Sequence, residues 1–162
     1  LKTKKIFDVH LMINRVGKFL DDYIKAGSNI ITFHYEIDEN INDIIERIKQ
    51  EKIKAGIAIK PKTSWENIKK YLHSVDQVII MTVEPGFGGQ VFLTDQLEKI
   101  KNISHYIKKN NLNVDIEIDG GVNYDTGKLG IDAGANILVA GSFLFNQSDL
   151  TDATNKLSDF FN

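Results

Sequence analysis

The sequence predicts an α/β fold built on a parallel sheet, because strand-like and helix-like segments alternate along all 162 residues. The strand-like segments are short and mostly apolar, as in 29–35 and 77–83, which is typical of strands covered on both faces. Between them, apolar residues recur at helical spacing, as in 40–50. Strands that are joined through helices pair in parallel, with right-handed crossovers. We therefore expect a single domain over residues 1–162.

The first three β/α units are assigned from spacing and from residue type. Segment 6–13 is an apolar strand that carries Asp8 and His10, and the helix after it stops at Gly27. A strand rich in β-branched residues follows, and then a helix with four isoleucines on one face. The predicted elements of this half are strands 6–13, 29–35 and 55–59 and helices 17–26, 40–50 and 64–72.

The second half repeats this pattern, with glycine after several strands. Pro61 and Pro85 both fall just after predicted strands, where loops belong. Asn123 is well placed to cap the helix that follows it. The predicted elements are strands 77–83, 114–118 and 136–140 and helices 94–109, 124–133 and 149–160.

Composition excludes several classes of protein. The net charge is −2 and basic residues form no stripe, which argues against nucleic-acid binding. The chain has no cysteine, so it has neither disulfides nor thiolate metal ligands, and no apolar run is long enough to cross a membrane. The expected location is the cytoplasm.

Glycine-rich segments follow three of the later strands. They are 86–89, 120–121 and Gly141 with Ser142. Glycine lets backbone N–H groups approach an anion, and barrel enzymes often bind phosphate after their last two strands. For any one of these segments alone, a tight turn is the stronger interpretation. Together, on successive strand ends, they favour a phosphate site.

Acidic and imidazole groups lie on the same strands. Alternation places Asp115, Glu117 and Asp119 on one face of a strand, and Asp119 at its carboxyl end. His10 lies near another strand end, and Asp8 on the same face could orient its ring or pair with a neighbouring strand. His10 and His34 are also compatible with hydrogen-bonded core residues, and for His34 that interpretation is the stronger one.

Four strings resemble the ribulose-phosphate 3-epimerase family, in the family's order and at comparable spacing. They are DVHLM at 8–12, MTVEPGFGGQVF at 81–92, IEIDGGVN at 116–123 and VAGS at 139–142. Six parallel units alone are compatible with an open doubly wound sheet or a barrel. The resemblance implies a (β/α)₈ TIM barrel whose first two β/α units are missing from this chain, so that residues 1–162 hold strands 3 to 8.

The resemblance also implies an activity. Such an isomerase interconverts D-ribulose 5-phosphate and D-xylulose 5-phosphate, a step of the pentose phosphate pathway, by moving the proton at C3 through an enediolate. Two aspartates transfer the proton, and Asp119 matches one of them. One divalent metal ion assists, with zinc expected first and iron, manganese or cobalt as alternatives. His10 and Asp119 match metal ligands.

The remaining site residues follow from the same matches. Met12 and Met81 match pocket-lining methionines, although core filling is an equal alternative for each. The substrate- and phosphate-binding positions are His10, Gly86, Phe87, Gly88, Gly89, Gly120, Gly121, Gly141 and Ser142. Gly88 favours the pentose enzyme over related hexulose-6-phosphate epimerases.

One departure limits these expectations. The family's second strand carries the opposing aspartate and two further metal ligands, and nothing here corresponds to it. The sequence is therefore either a fragment or a short protein completed by a partner. Other interpretations are a hexulose-6-phosphate epimerase, a phosphate-binding barrel fragment without activity and, as the weakest, a nucleotide-binding open sheet. A pentulose 5-phosphate substrate, a homo-oligomer and no nucleic-acid or membrane partner are expected.

Overall fold

The computed structural model describes residues 3–161, which form one parallel sheet of six strands in sequence order. The two ends of the predicted domain, residues 1–2 and 162, lie outside the described residues. The strands are β1 (Asp8–Leu11), β2 (Ile30–His34), β3 (Lys54–Ile59), β4 (Gln77–Met81), β5 (Asp115–Asp119) and β6 (Ile137–Val139). The helices are α1 (Val16–Lys25), α2 (Ile41–Gln50), α3 (Gln96–Lys109), α4 (Tyr124–Ala133), α5 (Ser142–Phe145) and α6 (Leu150–Ser158).

Local sequence explains where the helices begin and which face they bury. Helix α2 starts where the Asn40 side chain accepts a hydrogen bond from the N–H of Asn42, and it buries its four isoleucines. Asn123 caps α4 through a reciprocal pair of hydrogen bonds with Thr126, as its position predicted. The parallel α/β architecture predicted from the alternation of segments is confirmed.

The predicted helix at 64–72 is wrong in type. The segment forms two short 3₁₀ turns, Trp65–Asn67 and Lys69–Tyr71, closed by bonds such as that from the N–H of Ile68 to the carbonyl of Trp65. Three residues per turn place Trp65, Ile68 and Tyr71 on one face. Because Ile68 and Tyr71 are buried while Trp65 packs on Tyr106, the tighter period buries the same apolar residues that had suggested an α-helix.

The sheet is strongly curled. Strands β1 and β5 lie four strand spacings apart, which in a flat sheet would be about 19 Å. Yet Nδ1 of His10 on β1 lies 3.3 Å from Oδ2 of Asp119 on β5. The six strands therefore form a partial β/α barrel, with side chains meeting across its concave interior.

The curl creates two different cores. The convex face packs against the helices through fully buried residues such as Phe33, Ile57 and Ile100. A small apolar cluster on the concave face contains Ala58, Ile79, Met81 and Val83. Of the helices in residues 3–161, none combines the length and the apolar character required to span a bilayer.

Candidate active site

The predicted site residues meet at one rim of the partial barrel, where the carboxyl ends of the strands lie. They surround a cavity of about 280 Å³. Its lining includes Met12, Met81, Gly86, Phe87, Gly88, Gly89, Asp119, Gly120, Gly121, Gly141 and Ser142. His10 joins this set through its contact with Asp119. The structure thus brings the predicted residues together, although their roles stay predictions.

Asp119 is held at the end of β5 by its backbone. Its carbonyl accepts a hydrogen bond from the N–H of Thr82 at 2.9 Å, and in the sheet it pairs with Met81. The carboxylate points inward, and its side chain is 22% exposed, against 14% for His10. Asp119 therefore combines a fixed backbone with a carboxylate that solutes in the cavity can reach.

A second histidine lies behind His10. The Nε2 atoms of His10 and His34 are 3.0 Å apart, and Nδ1 of His34 lies 3.3 Å from Oε2 of Glu36. His34 is only 5% exposed, in agreement with the predicted hydrogen-bonded core residue. Its link to the site was not predicted. The available signal was the i, i+2 spacing of His34 and Glu36 at the end of the strand beside β1.

Several donors surround Glu36 and keep it ionised. Burial alone would raise the pKa of this carboxyl group, but hydrogen bonds from His34, the Thr63 hydroxyl and the Lys60 N–H outweigh it. The resulting pKa is about 2. Glu36 is therefore a fixed negative charge beside the buried imidazole at neutral pH.

Gly120 and Gly121 are required by space as well as by backbone conformation. Gly121 has φ of +65°, and a β-carbon there would lie 2.6 Å from the backbone N of Phe92. At Gly120, with φ of +122°, a β-carbon would lie 2.3 Å from Val83. Any other residue at either position would displace the cavity wall.

The glycine loop after β4 is held by a side-chain amide. Nε2 of Gln90 donates to the carbonyl of Glu84 at 2.7 Å and to that of Phe87 at 2.9 Å. Phe87 is 75% exposed at the tip of this loop. The amide contacts hold the loop at one side of the cavity, with the Phe87 ring exposed at its rim.

The cavity wall also offers unused hydrogen-bond donors. Within residues 3–161, the N–H groups of Gly120, Gly121 and Gly141 donate to no other protein group. The carbonyl of Gly120 accepts from the Thr82 hydroxyl at 2.6 Å, which fixes the orientation of the peptide that carries the Gly121 N–H. Unpaired N–H groups on glycine-rich turns are the arrangement that binds anions.

A polar layer lies beneath Asp119. The Gln77 amide on β4 donates to Asp8 on β1 and to Glu117 on β5, both at 2.9 Å. Burial raises the pKa of Glu117 to about 9, and the charge and hydrogen bond of Asp8 and the charge of Asp119 add to the effect. Glu117 is therefore protonated at neutral pH. The Asp8 side chain contacts Gln77 across the concave face and does not orient His10. The role of Gln77 was not predicted.

His10 and Asp119 fit one edge of a metal site. Two donors at about 2.0–2.2 Å from a tetrahedral ion lie roughly 3.3–3.5 Å apart, and the separation here is 3.3 Å. Residues 3–161 contain no group of three or more His, Asp or Glu side chains arranged around one point. The described part of the chain thus offers two ligands of the four that zinc takes.

Comparison with known proteins identifies the family. The model of the ribulose-phosphate 3-epimerase family matches residues 1–145. The chain belongs to this family. It is 40% identical over 151 residues to ribulose-phosphate 3-epimerase of Bacillus subtilis (93% of this chain, 70% of that protein). It is 37% identical over 145 residues to that of Schizosaccharomyces pombe (90% and 62%). The resemblance predicted from the sequence is confirmed, and the chain spans roughly two thirds of these epimerases.

Solved structures support the architecture alone. The 3-hexulose-6-phosphate synthase of Salmonella typhimurium superposes with a TM-score of 0.63 at 17% identity, covering 94% of this chain and 69% of that one. The chain therefore shares the parallel β/α arrangement of that structure.

Proposed function

We propose that this chain is the larger part of an epimerase that interconverts D-ribulose 5-phosphate and D-xylulose 5-phosphate. The observation that supports this most directly is the cavity itself. It joins an inward carboxylate, Asp119, to glycine segments whose N–H groups are free to bind a phosphate. A pentulose 5-phosphate has the two features that such a cavity selects, an anionic end and an acidic C–H beside a carbonyl.

Asp119 transfers the proton at C3 in this proposal. Removing a proton α to a carbonyl leaves an enediolate, so the base must lie beside C3 while the phosphate is held elsewhere. Phosphate bound by Gly120, Gly121, Gly141 and Ser142 would fix the far end of the sugar. Met12 and Met81 line the wall next to Asp119 and give it an apolar surface.

His10 and Asp119 would hold a divalent metal ion, with zinc expected first. When bound, such an ion polarises the carbonyl and hydroxyl oxygens of the substrate. The two remaining ligands and the opposing acid/base group would come from two further β/α units. A cytoplasmic location and a homo-oligomeric assembly remain predictions.

The missing units have a defined place in this proposal. Residues 1–162 would form strands 3 to 8 of a (β/α)₈ barrel, and two strands would fill the gap between β1 and β6. Apolar side chains are exposed on both sides of this gap: Ile6 is 71% exposed near β1, and Val139 is 37% exposed on β6. Two added strands would cover them.

The test uses a chimera in which the first two β/α units of the Bacillus subtilis relative precede residue 1. We expect it to epimerise ribulose 5-phosphate. Asp119→Asn should abolish turnover, because an amide cannot take the proton. Asp115→Asn, at the opposite end of β5, is the matched control and should retain turnover.

The outcomes separate the alternatives. An Asp119→Asn chimera with more than a small fraction of the parent kcat would disprove the role of Asp119. Faster turnover of a hexulose 6-phosphate would assign the related substrate. A folded chimera that binds inorganic phosphate without catalysing either reaction would leave only the phosphate-binding interpretation.

A further inference from the structure

Three contacts link a half-buried glutamate to the cavity through two imidazole rings. They run from Glu36 Oε2 to His34 Nδ1 (3.3 Å), from His34 Nε2 to His10 Nε2 (3.0 Å) and from His10 Nδ1 to Asp119 Oδ2 (3.3 Å). The ring centroids lie 4.9 Å apart with the ring planes 21° from parallel, and the two Nε2 atoms approach to 3.0 Å. In each of these contacts the two atoms attract each other only if a proton lies between them.

Neutral rings cannot supply all of these protons. Each neutral imidazole has one N–H and one bare nitrogen, so His10 and His34 together hold two protons for three contacts. The Nε2–Nε2 contact requires one, because two bare nitrogens would repel. The second proton can serve either Glu36 or Asp119, and the other carboxylate must face a lone pair.

The surroundings decide which end has the proton. Oε1 of Glu36 already accepts from the Lys60 N–H at 2.9 Å and from the Thr63 hydroxyl, so Glu36 is held in place as an anion. A bare nitrogen of His34 facing it would be repelled. Asp119 faces the open cavity, where a substrate hydroxyl or a cation can enter, and among residues 3–161 only His10 lies within hydrogen-bond distance of its carboxylate.

We propose that Glu36 and His34 are positioning residues that keep the proton of His10 on Nε2 and turn its bare Nδ1 toward Asp119. A bare nitrogen at this point can coordinate a cation or accept a hydrogen bond from a substrate hydroxyl, whereas an N–H would pair with Asp119 and occupy it. The use of this nitrogen rests on the proposed epimerase, while the tautomer itself does not.

The test reads the tautomers directly, by ¹⁵N NMR of the imidazoles in the metal-free chain at about pH 8, where ordinary histidines are neutral. The chain has four histidines, so single substitutions assign the signals, and the exposed His73 and His105 serve as references. We expect His10 to carry its proton on Nε2 and His34 to carry its proton on Nδ1.

Glu36→Gln should exchange the tautomer of both imidazole rings. The Lys60 N–H and the Thr63 hydroxyl would hold the new amide oxygen, and the amide N–H₂ would face His34. His34 would then accept at Nδ1 and donate from Nε2, so that the proton of His10 moves to Nδ1. Glu66→Gln, on the exposed 3₁₀ turn, is the matched control and should leave both rings unchanged.

Two results would overturn the proposal: a proton on Nδ1 of His10 in the parent chain, or the same tautomers in the parent and in Glu36→Gln. If that variant does not fold, His34→Phe keeps the ring's shape and removes the partner of His10 Nε2, with the same expected move of the proton. The NMR measurement uses no substrate, so its result does not depend on whether the chimera is active. Conversely, an unexpected tautomer of His10 would not change the interpretation of the Asp119→Asn test.

Discussion

Replacing Gly121 with alanine should destabilise the whole chain, although only one methyl group is added. The new β-carbon would lie 2.6 Å from the backbone N of Phe92 and 2.9 Å from the carbonyl oxygen of Gln90. Both neighbours are main-chain atoms, so no rotamer change relieves the contact. The φ of +65° is also one that alanine rarely adopts.

The expected loss follows from three effects. Alanine in the left-handed region costs about 1–2 kcal/mol. Forcing a methyl group against packed neighbours costs about 1–3 kcal/mol. The lower entropy of the unfolded chain returns roughly 0.4–1 kcal/mol. The free energy of unfolding should therefore fall by about 3 kcal/mol, which for a chain of this size lowers Tm by roughly 6–12 °C.

Thermal and urea unfolding measure this loss, and Gly88→Ala is the control. A β-carbon at Gly88 would meet no heavy atom within 4 Å, and its φ lies outside the left-handed region. That variant should unfold like the parent. If Gly121→Ala unfolded at the same temperature as Gly88→Ala, the close approach of the chain at Gly121 would not exist as described.

Three further predictions concern buried groups. Because the pKa of Glu36 is lowered from 4.5 to about 2, its contribution to stability is full above about pH 4.5 and disappears as the pH falls toward 2. The Glu36→Gln variant should therefore lose less stability on acidification than the parent chain, and equal losses would contradict this. Because burial raises the pKa of Glu117 to about 9, the contribution of Glu117 to the free energy of unfolding should slope downward as the pH rises from about 4.5 toward 9. Glu117→Gln should flatten that slope in urea titrations, and an unchanged slope would show that Glu117 is ionised. At Gly56, a β-carbon would lie 2.0 Å from Oγ1 of Thr32. A double-mutant cycle of Gly56→Ala with Thr32→Gly should therefore give a coupling free energy above about 1 kcal/mol, and additive losses of stability would argue against the contact.

Local patterns were sufficient to predict the strands and the rim. Strand alternation placed Asp119 at a strand end on one face with Glu117, and the glycines after it indicated a tight turn or an anion-binding segment. These features depend on neighbours in sequence, which periodicity records. The 3₁₀ turns at 65–71 were missed because a spacing of three is compatible with both kinds of helix.

Contacts across the concave face could not be predicted in the same way. Gln77 on β4 meets Asp8 on β1 only because the sheet curls, and the link from Glu36 to Asp119 crosses from the end of β2 to β5. Curvature is a property of the whole sheet, set by strand twist and by packing against the helices. A single strand's residues show which way side chains point, without showing how far away the opposite wall lies.

The Gln77 amide has a consequence for assembly. By joining β1 to both β4 and β5, it fixes the arc of the sheet with hydrogen bonds inside the six strands themselves. The arc therefore does not depend on a closed ring of strands to maintain its radius. A segment that pairs with β1 and β6 would meet a preorganised opening, so its association would cost mainly its own ordering entropy.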